Sequence, residues 1–170
     1  MAQTREHFSA IVTPMLPAGA RTFVAQYHVE GLDTLVKVYV QDALERRLLD
    51  GQAGNGVSDV VARLRGAGGE EATTALGTVR SGESFSLDIR FDQGAASVSV
   101  DTTTHGKLRA AGSIEGDARA IYFKFGDYAQ ALDPATGKPT SDPAKWDAWF
   151  RQQRIDKELV RFSHVVFERS

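Results

Sequence analysis
Ser84-Phe-Ser-Leu-Asp-Ile-Arg-Phe91 and Ala95-Ala-Ser-Val-Ser-Val-Asp-Thr102 are two alternating runs separated by Asp92-Gln-Gly94. Successive side chains on a strand point to opposite faces, so Phe85, Leu87, Ile89 and Phe91 share an apolar face and the residues between them a polar one. Two such runs joined by a short turn that contains glycine form a β-hairpin. Outward from this hairpin, alternating or β-branched runs recur at Phe8–Thr13, Arg21–Val29, Thr34–Val40, Val57–Leu64, Ala72–Val79, Lys107–Gly112, Ala120–Phe125 and Leu159–Glu168. Turn signals stand between them, among them Pro17-Ala-Gly19, Glu30-Gly31, Asp50-Gly51, Gly66–Gly69, Ser81-Gly82 and Ser113–Asp117. Many short strands with turns at such intervals predict an all-β fold, a jelly roll or concanavalin-like sandwich of two antiparallel sheets. A single domain over residues 1–170 is expected, because no linker, repeat or low-complexity segment divides the chain.

One segment breaks the pattern. In Asp142-Pro-Ala-Lys-Trp-Asp-Ala-Trp-Phe-Arg-Gln-Gln153, Asp142 caps a helix that has Pro143 at its first position. Trp146, Trp149 and Phe150 then fall at i, i+3 and i+4, which predicts one short helix with those rings packed on the sandwich.

The chain has 170 residues, a hydrophobic fraction of 42%, a charged fraction of 25% and a net charge of −2. Such values fit a globular domain and give no bulk attraction to nucleic acid, so a polyanion partner would need a local basic groove. No cysteine is present, which removes disulfides, thiolate catalysis and cysteine metal sites. No zinc motif, calcium loop, phosphate-binding loop or Gly-x-Ser-x-Gly elbow occurs, so neither metal nor cofactor is expected. No apolar run spans a bilayer, and the first residues show no export signal.

Two segments carry candidate chemistry. Ile121-Tyr-Phe-Lys-Phe-Gly-Asp-Tyr-Ala-Gln130 sets Tyr122, Lys124, Tyr128 and Gln130 at even positions, with Ile121, Phe123 and Phe125 at odd ones. A strand with this pattern buries one face and offers hydrogen-bonding groups on the other. Arg21-Thr-Phe-Val-Ala-Gln-Tyr-His-Val29 likewise sets Thr22, Val24, Gln26 and His28 on one side. If both faces line one groove, a histidine, a glutamine, a lysine and two tyrosines form an acid–base set that needs no metal.

These segments also resemble a family. Tyr122-Phe-Lys-Phe-Gly-Asp-Tyr-Ala-Gln130 is similar to the Tyr-Phe-Lys-Ala-Gly-x-Tyr-x-Gln signature of the alginate-lyase-type polysaccharide lyases, polysaccharide lyase family 7, and Gln26-Tyr-His28 to its Gln-(Ile/Val)-His motif. Val160–Phe167 resembles the family's closing strand, so the likeness runs from about Phe8 to the end. The resemblance implies β-elimination on a 4-linked polyuronate such as alginate or a glucuronan. Gln26 would face the C5 carboxylate, His28 and Tyr128 would move protons, and Lys124 would support them. Tyr122 and Gln130 would add contacts to the anionic polysaccharide. A secreted monomer with no nucleic-acid or membrane partner is the corresponding expectation. The family's Arg-(Thr/Ser)-Glu-(Leu/Val)-Arg strand has only Thr4-Arg-Glu-His7 as its counterpart here, which makes Arg5 the candidate for its arginine. Tyr27 and Phe125 replace the usual Ile/Val and Ala.

The residue types suit that reaction. The C5 proton is weakly acidic beside a charged carboxylate, so donors aimed at the carboxylate stabilise the enolate-like transition state. An imidazole titrates near neutral pH and serves as a base. A lysine four residues from Tyr128 favours the ionised phenol, which fits Tyr128 as acid and as base. Which of His28 and Tyr128 takes the proton stays open. A non-catalytic carbohydrate-binding domain on the same scaffold is the first alternative. A glycoside hydrolase ranks below it, since hydrolysis commonly needs two carboxylates and the two strands offer only Asp127 and Glu30. His164 is expected in the core or at the groove edge and His105 in a turn. Glu45-Arg-Arg47 and Arg63-Leu-Arg65 are expected on solvated edges.

Overall fold
The computed structural model describes residues 5–30, 34–44, 48–66, 68–113 and 121–170. Ten strands and one helix follow in order: β1 (Arg5–Met15), β2 (Arg21–Val29), β3 (Thr34–Gln41), β4 (Val57–Arg65), β5 (Glu71–Arg80), β6 (Phe85–Asp92), β7 (Ala95–Thr102), β8 (Gly106–Ser113), β9 (Ile121–Ala129), α1 (Pro143–Gln153) and β10 (Leu159–Arg169). They form two five-stranded antiparallel sheets, in the orders β10-β1-β6-β7-β8 and β5-β4-β3-β2-β9. The predicted hairpin is β6–β7, turning through Gln93 and Gly94 at positive φ. Glu45–Arg47 and most of the expected Ser113–Asp117 turn lie outside the described residues.

Alternation places the core between the sheets. Phe8, Ala10 and Val12 of β1, and Leu87 and Ile89 of β6, meet Val36, Val38 and Val40 of β3 and Tyr27 of β2, all buried. The side of the sandwich next to β9 and β10 is closed by rings. Phe8 lies 4.7 Å from Phe123 and 4.9 Å from Phe125, Tyr27 lies 4.6 Å from Phe123, and Phe167 stacks on Phe123 at 5.6 Å. Because β9 is an edge strand, hydrogen-bonded only to β2 among the described strands, these rings help to fix its position.

The helix forms where the cap predicts. Asp142 accepts a hydrogen bond from the backbone N–H of Ala144, and Pro143 opens the first turn. Trp149 is buried with Ala43, Ala131 and Leu132, and the half-buried Trp146 donates its indole N–H to the Thr140 carbonyl at 2.7 Å. His105 is the turn residue expected, its Nε2 lying 3.1 Å from Thr78 Oγ1. His164 departs from expectation: it sits exposed at a bulge in β10 with φ of 52°, because the extra residue shifts the strand's parity and leaves it outside both core and groove. Arg63 and Arg65 also depart, since both pair with Glu71 and Arg65 is largely covered.

Candidate functional site
The exposed face of the sheet that holds β2 and β9 carries the site. Cross-strand partners share a face, so the strand register sorts these side chains into rows. Tyr122, His28 and Thr34 form one row; Lys124, Gln26, Lys37, Arg63 and Thr73 form the next. Tyr128, Phe23, Tyr39, Val61 and Ala75 form a third, and Arg21, Gln41, Asp59 and Thr78 a fourth. Between the second and third rows β3 advances two residues, from Lys37 to Tyr39, β2 advances three, from Gln26 to Phe23, and β9 advances four, from Lys124 to Tyr128. The surplus residues are bulges. Gly126 sits in the β9 bulge at φ of 155°, where a side chain would meet no neighbour within 4 Å, so backbone conformation is what calls for glycine.

This stretching decides which parity expectations hold. On β9 the step is even, so Tyr122, Lys124 and Tyr128 share the groove face as alternation predicts. On β2 it is odd, so Thr22 and Val24 do not share a face with Gln26 and His28; both are fully buried, and Phe23 takes the groove position instead. A cleft of about 430 Å³ lies over these rows, lined by Phe23, Gln26, His28, Lys37, Lys124 and Tyr128 among others.

Within the cleft, His28 Nε2 lies 3.4 Å from Gln26 Oε1, and His28 Nδ1 lies 3.5 Å from Thr34 Oγ1. With the imidazole N–H donating to Gln26 Oε1, the amide NH₂ of Gln26 is left to point at an anion. The His28 ring stacks on Tyr122 at 4.8 Å and 8°, and the Lys124 ammonium stands 5.1 Å from the centre of the same Tyr122 ring. The cation that sequence spacing offers to Tyr128 is therefore found over Tyr122. Tyr128 stacks on Phe23 at 6.3 Å and is 61% exposed, so its hydroxyl is open to a ligand in the cleft. Gln130 turns away: its amide donates to the carbonyls of Ala129 and Tyr128 at 2.8 and 3.3 Å.

Arg5 does not reach this site. It stands on β1 of the opposite sheet, ion-paired with Asp92 at 3.1 Å, because Arg5 is the first residue of that core strand. Sequence reasoning missed the groove residue Lys37, which faces Gln26 across the β2–β3 pair and lines the cleft. It also missed Tyr39 and Arg21, two largely buried side chains that border Phe23 at the cleft's end. Lys37, Lys124 and Arg21 bring three cations to this face despite the chain's net charge of −2, while Arg63 is paired with Glu71.

Asp127, the carboxylate set aside at the sequence level, accepts a hydrogen bond from the Thr22 hydroxyl at 2.7 Å inside the β9 bulge. Glu158 lies near it, with both carboxylate oxygens enclosed and without a hydrogen-bond partner among the described residues. Burial, and then the charge of Asp127, push the Glu158 carboxyl up to about 8. A hydrolase needs two carboxylates open to the bond, and Glu158 is closed to it.

Glu158 also has a stability consequence. Its carboxyl titrates near 4.5 in the unfolded chain, so native stability falls as pH rises from about 4.5 to about 8 and then levels off. Solvent screening reduces the penalty well below what the full shift implies, to about 2 kcal/mol. Glu158→Gln should therefore melt about 5 °C higher than the parent at pH 9 and at the same temperature at pH 4, measured by thermal unfolding. An equal gap at both pH values would show that Glu158 does not titrate in this way.

The comparisons with known proteins agree with this architecture. A family model described as Alginate lyase matches residues 2–166. Among solved structures, polysaccharide lyase family 18 aly-SJ02 r-CATD shares 32% identity at a TM-score of 0.79, covering 99% of this chain and 73% of that one. The alginate lyase from Alteromonas sp. 272 is equally similar, at 32% identity and a TM-score of 0.79, covering 99% of this chain and 72% of that one. The alginate lyase from Klebsiella pneumoniae, at 12% identity and a TM-score of 0.65 over 98% of this chain and 60% of that one, shows the fold alone. No curated protein sequence matches the chain. With the family model spanning nearly its whole length, on the jelly roll whose groove holds Gln26, His28, Lys124 and Tyr128, the chain belongs to the alginate lyase family of polysaccharide lyases.

Proposed function
We propose that this lyase cleaves a 4-linked polyuronate of the alginate or glucuronan class by β-elimination at the cleft over β2 and β9, with no metal taking part. The observation that carries the reading is the register: Gln26 faces Lys124 and Lys37, His28 faces Tyr122, and Tyr128 occupies the adjoining row. A uronate lying across these rows sets its carboxylate against the Gln26 amide and the two ammonium groups. As the C5–H bond breaks, its electron pair delocalises into the carboxylate, and these donors stabilise the growing charge. The pair then forms the C4–C5 double bond while the C4–O4 bond breaks, and O4 takes a proton to become the hydroxyl of the departing chain. The product carries a 4,5-unsaturated uronate at its new non-reducing end.

His28 and Tyr128 supply the proton transfers. Where the C5 proton and O4 lie on the same side of the ring, Tyr128 takes one proton and delivers another. Where they lie on opposite sides, His28 takes the proton and Tyr128 delivers one. Tyr122 supports a sugar ring, and Gln130 braces the end of β9 through its two carbonyl contacts. A single domain over residues 1–170, acting as a secreted monomer on extracellular polymer, completes the reading, which rests there on the family resemblance.

The test is ultraviolet absorbance of the unsaturated product on alginate, polymannuronate, polyguluronate and glucuronan, with and without chelator. A rise on at least one polymer, unchanged by chelator, is expected. No rise on any of them, with binding still detectable, would replace the elimination reading with a carbohydrate-binding module. The displacement of Arg5 to the other sheet is the observation that favours that second reading.

A further inference from the structure
We propose that Arg21 is a substrate-binding residue at the end of this cleft, beyond Phe23, holding the carboxylate of a uronate unit next to the one that reacts. The inference rests on the lyase reading of the site and adds a specificity determinant to it.

Arg21 opens β2 in the fourth row, but its side chain leans back over the third. The guanidinium carbon lies 4.9 Å from the centre of the Tyr39 ring and 5.7 Å from that of Phe23, and Phe23 in turn stacks on Tyr128. The guanidinium is thus carried on an aromatic platform beside Tyr128. Between the second and third rows β3 advances two residues, about 7 Å, and β2 and β9 advance more, so this cation stands beyond hydrogen-bond reach of a carboxylate seated among Gln26, Lys37 and Lys124. The carboxylate it can engage belongs to another sugar unit.

Among the described residues, no carboxylate answers its charge. Arg21 is only 7% exposed, and its enclosed Nε finds no hydrogen-bond acceptor among the described residues. Burial holds the guanidinium below its ordinary pKa; the Tyr39 phenol acts against that shift and Arg63 adds to it, and no carboxylate is among the causes. Burial raises the Tyr39 phenol, which keeps it neutral, so it does not neutralise the cation. A desolvated cation is costly unless paired. An arginine fork already stacked on two rings is pre-oriented for a bidentate carboxylate, and an anionic polymer brings one at each unit.

The experiment compares Arg21→Gln and Arg21→Lys with the parent. Binding of polyuronate oligosaccharides and of their carboxyl-methylated forms is measured calorimetrically, beside steady-state kinetics and thermal melting. Arg21→Gln should weaken binding of the acid form by about 10- to 100-fold, the range for one hydrogen bond to a charged group. The loss should fall on KM rather than kcat and flatten the dependence of binding on salt. Arg21→Lys should recover only part of it, because it keeps the charge and loses the fork. Methylated oligosaccharides should bind parent and variants alike.

Equal binding of the acid form by parent and folded Arg21→Gln would overturn the inference and leave Arg21 a packing residue. If Arg21→Gln fails to fold, Arg21→Lys decides: parent-like affinity for the acid form overturns the proposal. A parent that binds polyuronate without cleaving it fails the elimination reading alone, because the binding comparison does not depend on turnover.

Discussion

Tyr128→Phe is expected to lower kcat on every polyuronate substrate by about 10²- to 10⁴-fold, the usual contribution of a positioned proton-transfer group. The substitution removes one oxygen and leaves the ring that stacks on Phe23 in place. Tyr128 is 61% exposed, so its melting temperature should stay within about 2 °C of the parent's. Initial rates of unsaturated-product formation, measured beside a melting curve, separate lost chemistry from lost fold. A rate within tenfold of the parent would remove Tyr128 from the proton-transfer role. His28→Ala offers an internal comparison: its loss should depend on the C5 epimer, while that of Tyr128→Phe should not.

Phe8→Ala should cost about 3–5 kcal/mol and lower the melting temperature by about 10 °C. Phe8 has no exposed surface and touches Phe123 and Phe125 across the sandwich, 4.7 and 4.9 Å away. Removing it opens a cavity directly behind the strand that carries Lys124 and Tyr128. Since β9 is hydrogen-bonded on one side only among the described strands, its position depends on that packing more than an interior strand's would. Activity should therefore decline at temperatures below the unfolding transition, with the midpoint read by denaturant titration. An unchanged midpoint would mean the rings repack without Phe8.

Most of the sandwich is legible by alternation alone. β2 and β7 span the residues predicted, and the other strands differ by a few residues at their ends. The helix is legible because Asp142, Pro143 and the tryptophan spacing point to one answer. Alternation fails where a bulge inserts a residue, since nothing in the local sequence marks Val24 or His164 as the odd one out. Tyr122, Lys124 and Tyr128 are placed together correctly because the surplus on β9 is two residues. The bulge in β2 hides Phe23 and Arg21, whose parity it changes, whereas Arg5 shows a different limit. Which sheet a strand joins is a long-range outcome of the fold, and the local pattern around an arginine does not encode it.

The unequal advance of β3, β2 and β9 gives the site a grammar for insertions and deletions. Removing one residue from Phe125–Asp127 turns the four-residue step between Lys124 and Tyr128 into three. The hydroxyl of Tyr128 would then point into the hydrophobic layer, and every residue after it would change sides. Removing two leaves a step of two, keeps Tyr128 facing the cleft and shortens its distance from Lys124. A library that varies the length of this segment should thus be active only in one parity class, much as a coding frame tolerates shifts of some lengths and not others.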